Sequence, residues 1–284
     1  MKPAPFDYHA PRTISAALDI LSQHVGEARL LAGGQTLMPM MNFRLAAPSV
    51  IIDLNRIEEL DFIELLDGTL RIGAMTRQRT LEFSALVAEK VPLLKRTIQM
   101  VGHLPTRSRG TIGGSLANAD SAAELPMALQ VLEGEVVVAG PNGQRTIKAS
   151  DLFVDAMVTT LEEDEILTEI RIPVMSPQAR FAVDEFSRRC GDFAIAAVAT
   201  VLTFDGPRCK TARLATAGVS PTSTRLMSAE QLLEGQMIDA ALISRAGDAA
   251  AAAIEPLADR NASEAYRRHL TRTLTMRVLE RAAH

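Results

Sequence analysis

Tryptophan is absent from this chain, and aromatic residues make up only 4% of its 284 positions. The core must therefore be built from Leu, Ile, Val, Ala and Met, within an apolar share of 47%. Scarce stacking side chains and a net charge of −4 argue against a nucleic-acid partner, which calls for a basic face. Lys and Arg gather only locally (Arg107 with Arg109, Arg188 with Arg189, Arg267 with Arg268), and these groups read as solvated faces or salt-bridge partners. Two cysteines, Cys190 and Cys209, form no disulfide framework and no zinc motif. They also fall short of the four thiolates that an iron–sulfur cluster takes. Cys190 sits beside two arginines, a setting that lowers a thiol pKa, but a lone cysteine there assigns no chemistry. The five histidines (His9, His24, His103, His269 and His284) lie outside any HExxH or Cys/His cluster, so no metal site is expected. No GxSxG elbow is present, and no catalytic residue is assigned. No run of eighteen apolar residues occurs, so no membrane span is expected. Residues 1–11 lack the basic-then-apolar pattern of a secretory signal, and a cytoplasmic location is expected.

What the chain does have is two glycine pairs about eighty residues apart. The first is Ala32-Gly33-Gly34-Gln35-Thr36 and the second is Thr111-Ile112-Gly113-Gly114-Ser115. Both are expected as loops after short strands. Neither is GxGxxG, and neither continues into the Gly-Lys-Ser/Thr of a P-loop. A single Gly-Gly is commonly an ordinary turn. Two with similar flanks suggest more: glycine lets backbone N–H groups approach a ligand, and successive N–H groups make an anion-binding concavity. Two such loops face to face would clamp the phosphates of a dinucleotide.

The pattern of apolar residues predicts an α+β chain of two domains, 1–175 and 178–284. Thr13 is expected to cap a helix at 14–25, ahead of a strand at 29–32. A helix at 37–45 and a strand at 50–54 follow. A hairpin spans 62–74, helices fill 80–88, 92–102 and 124–132, and a second hairpin spans 136–148. Glu162 to Glu165 reads as a solvated turn before a strand at 166–172. The stretch 173–177 (PVMSP) breaks regular structure and marks the boundary. Beyond it, strands at 193–204 and 213–219 join through Asp205-Gly206. Helices at 229–233, 239–254 and 263–282 end the chain. The apolar stripe of the last one (Leu270, Leu274, Val278, Leu279) is expected to pack on the local sheet.

Phosphate-cradling loops with little acid–base machinery describe a cofactor carrier: the cofactor brings the chemistry and the protein brings position. Three stretches carry a family resemblance. LAGGQTLMPMMNFRLAAPSVIID (31–53) and VGHLPTRSRGTIGGSLANADSAAE (101–124) resemble the two FAD loops of the flavoprotein subunits of molybdenum hydroxylases, the xanthine dehydrogenase and aerobic carbon monoxide dehydrogenase family. FSRRCGDFA (186–194) is similar to a third family segment. The resemblance runs from Ala4 to about Ala282. It implies a two-lobed FAD domain of the vanillyl-alcohol oxidase (PCMH) type, followed by a small α+β flavoprotein domain.

By that resemblance, Ala32, Gly33, Gly34, Gln35, Thr36, Leu37 and Met38 would enclose the FAD pyrophosphate with Thr111, Ile112, Gly113, Gly114 and Ser115. Gly102 and His103 would lie beside the flavin or its ribityl chain, and Asn118 would hydrogen-bond the cofactor. Glu124 matches an acidic position on the adenosine ribose, and Leu167 an apolar residue against the isoalloxazine. Asp192 and Phe193 fall on a loop near the ring. Two departures stand out: Val183-Asp184-Glu185 occupies a strand where relatives often carry a lysine, and Asn118 replaces a frequent His or Thr. The iron–sulfur insertion of the hydroxybenzoyl-CoA reductase branch needs cysteines this chain lacks.

The implied function is an electron-relay subunit. A large chain would hold the molybdenum cofactor and a small chain two 2Fe–2S clusters. The assembly would be a heterotrimer, doubled about a two-fold axis. Two other readings remain: a self-sufficient flavin oxidase or dehydrogenase with His103 as its base, and a non-redox module that has lost FAD.

Overall fold

The computed structural model describes residues 2–256 and 258–283, so His284 lies outside the described residues. The chain opens with strand β1 (Asp7–His9), helix α1 (Ile14–Gln23), β2 (Ala28–Leu31), α2 (Leu37–Asn42) and β3 (Val50–Asp53). The three strands pair in parallel in the order β1-β3-β2. Thr13 caps α1 as its hydroxyl accepts from the Ala16 N–H, and the inner face of α1 (Ala17, Leu21) packs on Ala28, Val50 and Ile52. The first glycine pair leaves the C-terminal end of β2, the side of a parallel sheet where ligands bind. Helix α2 stops at Asn42, short of 45, and Arg44 takes a φ of 57°.

The predicted first hairpin is β4 (Ile63–Leu66) with β5 (Thr69–Gly73). Six helices follow: α3 (Gln78–Phe83), α4 (Ala85–Lys90), α5 (Pro92–Ile98), α6 (Leu104–Arg109), α7 (Ile112–Asn118) and α8 (Glu124–Val131). The helix expected over 80–88 breaks at Ser84, whose ψ of 121° is extended and whose hydroxyl accepts from the Val87 N–H to cap α4. The helix expected over 92–102 ends at Ile98, and α6 stands where a strand was expected before the second glycine pair. That pair is itself helical: Gly113 and Gly114 lie in the first turn of α7. The chain continues through β6 (Glu135–Gly140), β7 (Gly143–Lys148), α9 (Ala149–Leu152), the short pair β8 (Phe153–Asp155) and β9 (Val158–Thr159), and β10 (Ile166–Pro173). One antiparallel sheet runs β4-β5-β10-β6-β7. The acidic turn before β10 is less solvated than expected: Arg145 donates to both oxygens of Glu165 at 2.6 and 2.7 Å.

A second antiparallel sheet follows, β11 (Arg180–Phe186), β12 (Ala196–Asp205), β13 (Arg208–Ala217) and β14 (Thr224–Arg225), in that spatial order. Helices α10 (Met227–Leu233), α11 (Ala240–Ala253) and α12 (Glu264–Ala283) complete the chain. Strand β12 is apolar on both faces. Ala197, Ala199 and Val201 join the core that holds Leu125 and Leu129 of α8, while Ala196, Val198 and Leu202 pack with the Leu270, Leu274, Val278 and Leu279 stripe of α12. A strand covered on both sides loses its polar alternation, which accounts for AAVATVL. Phe193, expected inside this strand, stays outside it and is 62% exposed. Among the described residues no helix is long and apolar enough to cross a membrane.

Candidate cofactor site

The fold brings the two glycine segments into contact. A Cβ added at Gly33 would overlap the Arg109 carbonyl and lie 2.7 Å from the Gly110 Cα. One added at Gly114 would lie 3.2 Å from the Ala32 Cβ. Gly34 takes a φ of +69°, a left-handed conformation that a side chain disfavours.

The two segments are not equivalent. Among the described residues, the N–H groups of Gly33, Gly34, Gln35, Thr36 and Leu37 meet no protein acceptor; the next, from Met38, donates to the Gly34 carbonyl. The second segment has its N–H groups committed. Ile112 donates to the Thr76 carbonyl at 3.1 Å, Gly113 to Ala74 at 2.9 Å, Gly114 to the Thr111 hydroxyl at 3.1 Å and Ser115 to the Thr111 carbonyl at 3.2 Å. Thr111, Ile112 and Gly113 are buried. The expectation of two matching loops is therefore corrected: the first offers a run of free donors, and the second is a helical wall. Gly113 is a glycine because a Cβ would meet Ala74 at 2.6 Å, not because of a positive φ. Among the described residues, the side chains of Ser115 and Asn118, further along α7, meet no protein hydrogen-bond partner. Five successive backbone N–H groups left free on a half-exposed segment suit a phosphate group.

A second grouping lies at the junction of the two sheets. The His103 ring lies against Gly191, where a Cβ would overlap it, so α6 and the 188–193 loop meet although 88 positions separate them in sequence. Gly102 precedes it with a φ of 48°. A cavity of about 680 Å³ opens here, lined by Asp120, Ser121 and Ala122 on one side and Gly191, Asp192 and Phe193 on the other. Of the candidate cofactor-binding residues read from the sequence, Asp192 and Phe193 line it, and Arg188 and Arg267 line it with them. Leu167 is buried on β10, where the register with β6 shifts.

Glu124 opens α8 and is only 4% exposed. Burial, reinforced by the Glu185 and Asp120 carboxylates, raises its pKa to about 8. Burial and Asp184 raise Glu185 to about 7, and its Oε2 has no hydrogen-bond partner. A carboxyl kept neutral at pH 7 can donate a hydrogen bond to a ligand oxygen, which an ordinary carboxylate cannot. The sign of the linkage is definite. Folded-state pKa values above the unfolded value near 4.5 mean that the folded chain holds more protons. The stability they support is full below pH 4.5 and is lost as pH rises through 7 to 8. The FAD-free chain should therefore melt lower at pH 8 than at pH 5.5. Glu124→Gln should flatten that slope in thermal melts across the range, and an unchanged slope counts against the assignment.

Asn55 and Arg77, which the sequence did not single out, line a smaller cavity of about 310 Å³ with Glu58 and Asp61. No local motif marks them; only contacts across the fold do. Among the described residues no group of three or more His, Cys, Asp or Glu is placed to hold a metal.

A parallel layer, a free donor run at the end of β2 and a second sheet closing over α8 define a two-unit nucleotide-cofactor protein. The family described as "FAD binding domain in molybdopterin dehydrogenase" matches residues 4–175, and "CO dehydrogenase flavoprotein C-terminal domain" matches residues 181–282. Among curated relatives, the 6-hydroxypseudooxynicotine dehydrogenase complex subunit alpha of Paenarthrobacter nicotinovorans is 36% identical over 285 residues, spanning 100% of this chain and 96% of that one. Carbon monoxide dehydrogenase from Hydrogenophaga pseudoflava, solved without the Mo-pyranopterin moiety of its cofactor, superposes with a TM-score of 0.98 at 36% identity, covering 99% of this chain and 98% of that one. Quinoline 2-oxidoreductase from Pseudomonas putida 86 gives a TM-score of 0.95 at 35% identity, covering 100% and 98%. The chain belongs to the FAD-binding medium subunits of the molybdenum hydroxylase and carbon monoxide dehydrogenase family.

Proposed function

We propose that the chain holds one FAD and relays electrons from the 2Fe–2S clusters of a small partner chain to an external acceptor, within a complex whose large chain carries the molybdenum cofactor. The observation that carries the FAD reading is the run of free N–H groups from Gly33 to Leu37. Those groups and the Thr36 hydroxyl would hold the pyrophosphate. Gly114, Ser115 and Asn118 would wall its other side, with Thr111, Ile112 and Gly113 as buried support. Met38, Gly102, His103, Leu167, Asp192 and Phe193 would border the rest of the cofactor, and Glu124 would offer a protonated carboxyl. Bound FAD would supply chemistry that accepts electrons one or two at a time.

The division of labour rests on the relatives. Chains about equally similar to this one belong to enzymes named for 6-hydroxypseudooxynicotine, carbon monoxide and quinoline. One conserved-length scaffold alongside such unlike substrates suits a subunit that does not itself hold the substrate. We extend the proposal to a PCMH-type first domain over 1–175, a second over 178–284, and a heterotrimer doubled about a two-fold axis. The purified chain should take up one FAD, released intact by acid. A chain that gains no flavin absorbance on incubation with FAD refutes the reading.

A further inference from the structure

One guanidinium and one carboxamide join the two glycine segments. Asn55 follows β3, and its Nδ2 donates to the Ala32 carbonyl at 2.9 Å. Its Oδ1 accepts from one terminal nitrogen of Arg77 at 2.6 Å. The other terminal nitrogen of Arg77 donates to the Arg109 carbonyl, the same carbonyl that packs on Gly33. Asn55 is itself held: Asp53 Oδ1 accepts from its backbone N–H at 2.9 Å and from its Nδ2 at 2.5 Å, and the Tyr8 hydroxyl donates to Asp53 Oδ2 at 2.5 Å. The series Tyr8, Asp53, Asn55, Arg77 thus runs from β1 to the C-terminal end of α6. Arg77 directs its terminal nitrogens to a carbonyl and a carboxamide, and burial lowers its pKa although Asp61 and Asp53 favour its charged form.

The chemistry of the peptide unit says what this does. The Ala32 carbonyl and the Gly33 N–H belong to one planar peptide and point in opposite directions. Holding the oxygen with Asn55 aims the first free N–H of the run away from Asn55. Holding the Arg109 oxygen with Arg77 sets the surface on which Gly33 rests. We infer that Arg77 and Asn55 are positioning residues that orient the Gly33–Leu37 donor run toward the cofactor phosphates, acting through the Ala32 and Arg109 carbonyls without touching the cofactor. This rests on the FAD reading above.

The test uses the full-length chain freed of flavin. FAD affinity is measured by quenching of flavin fluorescence for Arg77→Ala, Arg77→Lys, Asn55→Ala and the double alanine variant. Each single alanine variant should weaken binding about ten- to a hundred-fold, the effect of one or two charge-assisted hydrogen bonds. Arg77→Lys, with one donor able to reach the Arg109 carbonyl, should recover part of the loss. The double variant should be little worse than the weaker single one, because either change breaks the same series. Hydrogen exchange of the flavin-free chain should speed up at the Met38 N–H, whose bond to the Gly34 carbonyl reports the order of the donor run, in both single variants and stay unchanged in the second sheet. Wild-type affinity and exchange in both variants overturns the inference, as does an exchange increase spread evenly over the chain. Should Arg77→Ala not fold, Arg77→Lys and Asn55→Ala carry the same comparison. A wild-type chain that binds no FAD overturns the functional reading, and the exchange measurement still decides the positioning role.

Discussion

Gly34→Val is expected to leave the purified chain without flavin while the fold survives. Gly34 sits inside the free donor run with a φ of +69°, and a Cβ there would press on Leu31 Cδ1 and Met38 Cγ, both at 3.1 Å. A branched side chain disfavours that φ, so the peptide rotates and the aim of its N–H groups is lost. Hydrogen bonds to a charged group are worth ~1.5–3 kcal/mol each, so losing several lowers affinity by orders of magnitude. Gly68 supplies the control. It has a φ of +76° in the β4–β5 turn, with nothing within 4 Å of a Cβ. Gly68→Val carries similar backbone strain of ~1–3 kcal/mol away from the site. It should lower the melting temperature and keep its FAD. Gly114→Val should also lose flavin, but by a different route: its Cβ meets Ala32 and the Thr111 hydroxyl, forcing the two segments apart. Flavin-to-protein absorbance ratios and melting curves on all three variants decide the matter. Full FAD content in Gly34→Val, or equal loss in Gly68→Val, removes the donor run from the site.

The second large effect concerns electron supply. Under anaerobic conditions the isolated, FAD-loaded chain should keep its flavin oxidised when given the organic substrate of its complex, yet lose its colour with dithionite. Two cysteines cannot ligate a cluster in this chain. Among the described residues His103, the histidine that would serve as a base, makes no side-chain hydrogen bond and packs on Gly191. Adding the large and small partner chains should raise the rate of substrate-dependent flavin bleaching from undetectable to that of turnover. Omitting the small chain should return it to zero. Stopped-flow absorbance around the flavin band reads each arm. Rapid bleaching by substrate with this chain alone replaces the relay with a self-sufficient flavoenzyme.

The amino-acid order by itself determined what depends on near neighbours. The Thr13 cap, the Asp67-Gly68 hairpin turn, the break around Pro173 and the stripe on α12 are all properties of a few consecutive residues, so periodicity and turn chemistry expose them. The residues of the candidate site were legible as short motifs, but their division of roles was not. Whether a glycine N–H is free or bonded depends on an acceptor elsewhere in the chain. The Thr76 and Ala74 carbonyls engage Ile112 and Gly113, whereas among the described residues no acceptor arrives at the N–H groups of Gly33 to Leu37. The split of the predicted helix at Ser84 depended on a single ψ that its own hydroxyl then stabilises. Tertiary structure alone raised the proton affinity of Glu124, by burying it near Glu185 of the second sheet. It alone placed His103 on Gly191 and linked Asn55 to Arg77. In each case the partner lies far along the chain, and only the packed fold sets the distance between them.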